Sequence, residues 1–150
     1  MCSLLQSLCQ HGVEDIRKTM ASSVSLIGLI IGRQLATQDL VPIYLRFFED
    51  PDKVKVIALQ NLCNFLSVID RPQYDIIIVS LSNCLGEYYE AGWRFREELS
   101  QQILNLVKSL EEQSWITHKT NLTGMTIKLL RDKVNSIRKI ALDTVSVLVI

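Results

Sequence analysis

The sequence predicts an all-α fold in which antiparallel helix hairpins stack into a right-handed α-solenoid. The first observation is a recurring pattern: an apolar residue, a basic residue, and then apolar or small residues three and seven positions after the basic one. This spacing places the apolar residues on one face of a helix. The second is that the pattern occurs four times, with the basic residues Arg17, Lys55, Arg96 and Arg138. The third is that hydrophobic residues make up 48% of the chain, enough to bury a core.

The copies recur at a nearly constant period. Their basic residues are 38, 41 and 42 positions apart, close to the period of about 40–47 residues found in HEAT and armadillo repeats. We therefore expect a single HEAT-repeat array of about four repeats, over residues 1–33, 34–70, 71–111 and 112–150. The first repeat is short and the sequence closes on an apolar stretch, so we expect both ends to be truncated from a longer array.

Each hairpin should contribute a second helix that carries the pattern, over residues 14–32, 53–69, 94–110 and 135–149. In the second hairpin, the first helix is expected to begin with Asp39 as its N-cap and Pro42 in its first turn. It should end before Pro51, because proline disfavours helix at the residue that precedes it. In the first repeat, the spacing of Gly28 and Gly32 predicts close packing between helices.

Composition and charge exclude several classes of partner. The 16 basic and 16 acidic side chains give no net charge, which argues against a nucleic-acid surface. The longest apolar run, residues 24–31, is far shorter than the roughly 20 residues that span a bilayer, so no membrane partner is expected. The four cysteines (Cys2, Cys9, Cys63 and Cys84) form no C-x-x-C pair, which is typical of reduced thiols in a cytoplasmic or nuclear protein.

Nothing in the sequence indicates catalysis. His11 and His118 are the two histidines, and neither stands beside a nucleophile or an acid that would form a catalytic group. The six glycines are scattered singly, so there is no phosphate-binding loop, and no cluster has metal-ligand spacing. We therefore expect no enzyme activity, no cofactor and no metal.

The basic residues of the pattern, here called the repeat cations, lie at the start of each second helix. A cation at a helix N-terminus is disfavoured by the helix dipole, so each should have a compensating acid. The acids of the turns, in the same or the next repeat, would then form a ladder along one edge: Asp15, Asp50, Asp52, Glu90 and Asp132. The alternative is a basic row for an acidic ligand, which the interleaved acids make less favourable.

Trp93 and Arg94 lie in the turn that precedes the second helix of the third hairpin. A tryptophan beside an arginine on a solvent-facing turn has the composition of an interface hot spot. The alternative is that Trp93 packs onto the neighbouring turn. Trp115, at the start of the fourth hairpin, fits core or inter-repeat packing instead.

Several blocks of the sequence match a known family when taken in order. They are GRQL at residues 32–35, DLVPI at 39–43, WRFREEL at 93–99 and DKVNSIR at 132–138. With their spacing, they resemble the HEAT-repeat regulatory subunits of protein phosphatase 4 and, more distantly, the scaffold subunit of protein phosphatase 2A. The resemblance runs from about Val13 to the end of the chain.

The resemblance implies a non-catalytic regulatory or scaffold subunit that binds a serine/threonine phosphatase catalytic subunit of the phosphatase 4 type and helps direct it to substrates. It also implies that the turns inside the hairpins bind the partner. Carried over by position, this turn edge comprises Glu14, Asp15, Asp50, Asp52, Lys53, Glu90, Trp93, Arg94, Asp132, Lys133 and Asn135. The alternative is a general HEAT-repeat adaptor for nuclear transport or trafficking.

Overall fold

A computed structural model describes residues 2–86, 91–109 and 118–149, and every regular element in these ranges is helical. The α-helices are α1 (Cys2–Cys9), α2 (Glu14–Ile31), α3 (Arg33–Leu35), α4 (Val41–Arg46), α5 (Asp52–Gln60), α6 (Leu62–Val68), α7 (Tyr74–Leu85), α8 (Trp93–Ser109), α9 (Lys119–Leu130) and α10 (Asn135–Leu148). A π-helical segment, Ala36–Leu40, separates α3 from α4, and 3₁₀ turns occupy Phe47–Glu49 and Arg71–Gln73.

The predicted all-α fold class of HEAT-type hairpins is confirmed. The second helices lie within one residue of their expected bounds, as α2, as α5 with α6, as α8 and as α10. The second of them is interrupted at Asn61, whose side-chain amide donates to the carbonyl oxygen of Ile57 at 3.0 Å. The chain divides into two compact units, Met1–Ile77 and Ile78–Ile150.

The core of unit 1 is built around Tyr44. Its ring stacks on Phe65, with ring centroids 4.1 Å apart, and meets Phe47 and Phe48 edge-on. Burial raises the pKa of the Tyr44 phenol well above its ordinary value, so the group stays neutral. The hydroxyl donates to the carbonyl oxygen of Ala58 at 2.7 Å, which satisfies the one polar atom that this side chain brings into the core.

In unit 1, α2 packs against α5 and α6, and one glycine sets how closely. A Cβ placed on Gly28 would lie 2.6 Å from Cγ2 of Val68, so only a glycine fits without a shift. Gly32, by contrast, has open space around it. Its φ of 86° ends α2 and starts the turn into α3. The expectation of close packing is therefore right for Gly28 and wrong for Gly32.

The expectation that Asp39 caps a helix is wrong. The first helix of the second hairpin already begins at Arg33, directly after Gly32, and Asp39 lies inside the π-helical segment. This segment comes immediately before the turn that contains Pro42. Proline lacks the N–H group that an α-helix needs and its ring crowds the carbonyl of the preceding turn. The wider π turn therefore occurs where the regular hydrogen-bond pattern is broken.

In unit 1, Arg33 joins the start of the second hairpin to its end. Its guanidinium donates to the carbonyl oxygens of Ile69 and Ser67, at the C-terminal end of α6. Such carbonyls have no partner within their own helix. The Thr37 hydroxyl accepts from the backbone N–H of Asp70 at 2.9 Å in the same place.

In unit 2, α8 packs on α10, and α9 contacts both. The inward-facing side chains of these helices are buried and apolar, namely Phe95, Leu99, Ile103, Leu122, Met125, Ile137 and Ala141. This packing fixes the start of α8, which carries Trp93 and Arg94.

Candidate functional site

In unit 1 the first repeat cation is held by an acid of the next turn. Arg17, in the first turn of α2, donates from Nε to both carboxylate oxygens of Asp50, at 3.0 and 3.2 Å. Its Nη1 donates to the carbonyl oxygen of His11 at 2.7 Å. Because the helix dipole disfavours a cation at this position, the carboxylate of Asp50 offsets a local cost. The contact connects two turns that are 33 residues apart in sequence.

A second group of charges lies outside this pair and faces solvent. Lys18 Nζ is 3.0 Å from Glu14 Oε1 and 3.1 Å from Asp15 Oδ1, and Lys53 Nζ is 3.8 Å from the same Glu14 oxygen. The hydrogen bond between Lys18 and Glu14 lowers the pKa of Glu14 and raises the pKa of Lys18. Exposed pairs of this kind add little to stability.

In unit 2 the corresponding pair is buried. Arg96 Nε is 2.6 Å from Asp132 Oδ2, and its Nη2 is 3.2 Å from Oδ1. The Asp132 side chain has no exposed surface and that of Arg96 is 11% exposed. Asp132 Oδ1 also accepts from the backbone N–H of Val134 at 2.9 Å, and Arg96 Nη1 donates to the carbonyl oxygen of Ala91 at 2.6 Å.

The environment of Asp132 favours its charged form. Burial alone would raise the pKa of this carboxyl group. The hydrogen bonds from Arg96 and Val134, with the nearby charges of Arg96 and Arg138, outweigh burial and hold its pKa below the ordinary value. The pair is therefore ionised on both sides at neutral pH and fixes the turn to the start of α8.

The fourth repeat cation bonds within its own turn. Arg138 Nη1 donates to the carbonyl oxygens of Asp132 and Lys133, at 2.7 and 2.9 Å. Its Nη2 is 3.3 Å from the side-chain oxygen of Asn135. Lys55, the second repeat cation, is a half-buried residue of α5.

Trp93 is the first residue of α8 rather than part of the preceding turn. Its side chain is 45% exposed. The guanidinium carbon of Arg94 lies 4.6 Å from the centroid of the indole ring, in a cation–π contact. Counting from the repeat cations, the position of Trp93 is filled by polar residues in the other repeats, which are Glu14, Asp52 and Asn135. An exposed aromatic ring is thus a feature of the third repeat.

The remaining residues of the turn edge lie at the starts of second helices or just before them. Asp52 and Asn135 are the first residues of α5 and α10, and the side chains of Lys53 and Lys133 face solvent. Glu90 lies outside the described residues. Within each unit, the structure thus brings turn residues of successive hairpins together through Arg17 with Asp50 and Arg96 with Asp132.

The sequence patterns did not predict a place for Arg46 beside the turn edge. This side chain lines a cavity beside the Arg17–Asp50 pair. A signal was present in the spacing, because a basic residue stands four positions before the paired acid in both units, as Arg46 before Asp50 and Lys128 before Asp132.

Over the described ranges, no group of histidine, cysteine or acidic side chains is arranged to hold a metal ion. No helix in those ranges is long and apolar enough to cross a membrane. Among the cysteines that the structure describes, Cys9, Cys63 and Cys84 form no disulfide with one another.

The sequence is similar to phosphatase regulatory subunits, although no protein-family model matches it. Serine/threonine-protein phosphatase 4 regulatory subunit 1 of Homo sapiens and that of Mus musculus are each 31% identical to the chain over 134 residues, which is 89% of the chain. The A-type regulatory subunit of protein phosphatase PP2A from Schizosaccharomyces pombe is 22% identical over 147 residues. The resemblance noted from the motifs is thereby confirmed. The chain spans only 14% of the length of the phosphatase 4 subunits and 25% of the fission-yeast protein.

Proposed function

We propose, from this similarity to phosphatase 4 regulatory subunits, that the chain is a non-catalytic part of a regulatory or scaffold subunit of a serine/threonine phosphatase. Its partner in this proposal is a catalytic subunit of the phosphatase 4 type, which it holds and helps direct to substrates. The observation that carries the proposal is the 31% identity over 89% of the chain to proteins named as such subunits. The reduced thiols expected from the sequence fit a location in the cytoplasm or the nucleus.

The surface proposed to contact the catalytic subunit is the turn edge, with Trp93 and Arg94 at its most exposed apolar point. Tryptophan and arginine are enriched among the few residues that supply most of the binding energy of an interface. The indole ring of Trp93 is partly exposed, and the guanidinium group of Arg94 already stacks on it. A stacked pair of side chains loses less conformational entropy on binding than two separate side chains do.

A buried support stands directly behind this pair. Arg96, two residues after Arg94, is bonded to Asp132 and to the carbonyl oxygen of Ala91, which precedes the start of α8. A binding residue is positioned best when its backbone is fixed by a second set of contacts. The Asp132 carboxylate and the Ala91 carbonyl therefore hold the backbone of the turn edge in place. Trp93 and Arg94 then make the contact with the catalytic subunit.

Affinity purification followed by mass spectrometry tests the proposal. The protein in its full-length form, tagged and expressed in its own cells, should recover a phosphatase 4-type catalytic subunit. Recovery of nuclear-transport or trafficking proteins without any phosphatase would instead support the adaptor alternative. Any phosphatase activity in the purified sample should disappear when the catalytic subunit is removed. Activity that persists in its absence would contradict a non-catalytic role.

A further inference from the structure

Unit 1 contains a cavity of about 410 Å³ next to the Arg17–Asp50 pair. One wall is the end of α1 with the residues that follow it, and the other is the end of α4 with the 3₁₀ turn after it. Its lining includes the side chains of Cys9, His11, Arg17, Arg46, Glu49 and Asp50. The volume lies within the range of about 300–1,000 Å³ that is typical of sites for small ligands.

The two guanidinium groups in this cavity differ in how far they are already bonded. Arg17 uses Nε and Nη1 for Asp50 and His11, which leaves Nη2 without a partner among the described residues. Arg46 is exposed and makes no side-chain hydrogen bond or ion pair within residues 2–86, 91–109 and 118–149. Since a guanidinium carries five N–H donors, the cavity has unused donors on both.

The acids in the cavity are unequal as well. Both carboxylate oxygens of Asp50 accept from Arg17, so this acid is already neutralised within the protein. Glu49 is exposed, as Arg46 is, and its side chain also lines the cavity. Burial raises the pKa of the Cys9 thiol to about 11, which makes this side chain a neutral, weakly polar part of the wall at physiological pH.

Unit 2 shows what a basic residue at the position of Arg46 does when it is engaged. Lys128, four positions before Asp132, donates from Nζ to the carbonyl oxygen of Gly86 at 3.2 Å. Gly86 directly follows α7, the first helix of the preceding hairpin. In unit 1 the corresponding space, between Arg46 and the end of α1, is the cavity. In unit 1 the guanidinium of Arg46 is the donor, and the cavity lies where unit 2 has the carbonyl oxygen of Gly86 as acceptor.

We propose that this cavity is a binding site for an acidic side chain of a partner peptide, whose carboxylate takes the open donors of Arg46 and Arg17. Arginine suits this role because its planar fork donates two parallel bonds to a carboxylate. The cavity lies beside Asp50 of the turn edge, so it adds an acidic-peptide subsite to the proposed phosphatase-binding surface. It rests on the proposed function only for the identity of the partner, because peptide binding by the chain does not require a catalytic subunit.

Fluorescence anisotropy on the 150-residue chain tests this site. The probe is a labelled, capped peptide of alternating glutamate and glycine, and the matched peptide has glutamine in place of glutamate. The glutamate peptide should bind at low ionic strength, and the glutamine peptide should bind at least about tenfold more weakly, because hydrogen bonds to charged groups are the stronger ones. Equal binding of the two peptides would overturn the proposal.

Two substitutions in the cavity should act in opposite directions. Arg46→Gln removes the open cation and should weaken binding of the glutamate peptide about tenfold or more, whereas Glu49→Gln removes a repelling charge and should strengthen it. Lys139→Gln removes a cation from an exposed site in α10 and should leave the affinity unchanged. Circular dichroism confirms that each variant is folded.

The reverse order, with Arg46→Gln strengthening and Glu49→Gln weakening binding, would show that the cavity takes a cation and would overturn the proposal. An equal effect of Lys139→Gln would show that binding follows net charge alone, with the same consequence. Loss of phosphatase capture with intact peptide binding would remove the proposed function and leave this site.

Discussion

The guanidinium of Arg96 and the carboxylate of Asp132 meet at 2.6 Å across 36 residues of sequence, and the acid has no exposed surface. The counterpart in unit 1 is also an arginine–aspartate pair, Arg17 with Asp50. It is partly exposed: 16% of the Arg17 side chain and 17% of the Asp50 side chain are accessible to solvent. A repeat cation and a turn acid thus form a buried ion pair in one unit and a partly exposed ion pair in the other.

Asp132→Ala should lower the free energy of unfolding by about 3–5 kcal/mol, because it leaves the Arg96 cation buried without its partner. Asp50→Ala should have a smaller effect, since water can reach Arg17. Urea denaturation followed by circular dichroism measures both. Asp143→Ala, at an exposed position of α10, is the control and should stay within about 0.5 kcal/mol of the parent. Equal losses for Asp132→Ala and Asp50→Ala would contradict the difference in burial.

The pH dependence of stability should carry the signature of the same carboxylate. The pKa of Asp132 is lower in the folded chain than its ordinary value of 3.8. The unfolded state therefore binds the proton more readily, and stability is lost as the pH falls from about 4 through the folded pKa. Asp132→Asn lacks this contribution. The difference in unfolding free energy between parent and variant should shrink below about pH 4, and a difference that stays constant as the pH falls further would contradict it.

Gly28→Ala should destabilise unit 1 even though alanine is the better helix former. The new methyl group would lie 2.6 Å from Cγ2 of Val68, a β-branched side chain that cannot rotate away easily. Overpacking of this kind costs about 1–3 kcal/mol. Val68→Ala in the same chain should recover part of the loss, and a double-mutant cycle in urea measures the coupling.

Gly124→Ala is the matched control for this substitution. Gly124 is also helical, in α9, and has no atom within 4 Å of an added Cβ. Here alanine should stabilise the chain by about 0.5–1 kcal/mol. If both substitutions stabilise the chain to the same extent, α2 and α6 do not pack as described.

The repeated pattern of apolar residues made most of the fold predictable. Apolar residues three and seven positions after each repeat cation lie on one face of a helix, whatever residues stand between them. The start of the second hairpin was not predictable from the same pattern. Gly32 can end a helix or allow close packing, and its positive φ decides between these only once the chain around it is folded. Asp39 has the chemistry of an N-cap, yet the helix had begun six residues earlier.

The site was predictable in part for the same reason. The sequence predicts acids of the turns as partners of the repeat cations, and two such pairs form, Arg17 with Asp50 and Arg96 with Asp132, at separations of 33 and 36 residues. The cavity at Arg46 depends on how far α1 extends towards α4, which no local pattern records. Burial of Asp132 and partial exposure of Asp50 are likewise properties of packing between elements, since each acid lies in the turn before a second helix.

Replacement of Trp93 and Arg94 together by alanine should weaken association with a phosphatase 4-type catalytic subunit by about thirtyfold or more, the effect expected of an interface hot spot. Quantitative pull-down from cells that express the full-length protein measures this. Arg71→Ala removes an exposed arginine outside the turn edge and should leave association unchanged. Unchanged recovery in the double variant, with a normal melting temperature, would remove these two residues from the interface.

Cys9 should react slowly with alkylating reagents in the folded chain. Its pKa is raised from 9.0 to about 11, chiefly by burial. At pH 8 the reactive thiolate is then about one molecule in a thousand, against about one in ten at the ordinary pKa. Peptide mass spectrometry after timed iodoacetamide treatment should show labelling of Cys9 about a hundredfold slower than in urea. Rapid labelling in the native chain would contradict the buried position.

The ion pair in each unit also determines how that unit comes apart. Arg17 and Asp50, or Arg96 and Asp132, belong to different hairpins, so neither pair can form until both of its hairpins are in place. A hairpin that frays loses a contact that its neighbour also needs, which couples adjacent repeats more strongly than apolar stacking does alone. Amide protons of α8 and α10 should consequently exchange with solvent through a shared opening event rather than helix by helix. Each pair therefore links two successive repeats, and the smallest unit that unfolds cooperatively consists of two hairpins.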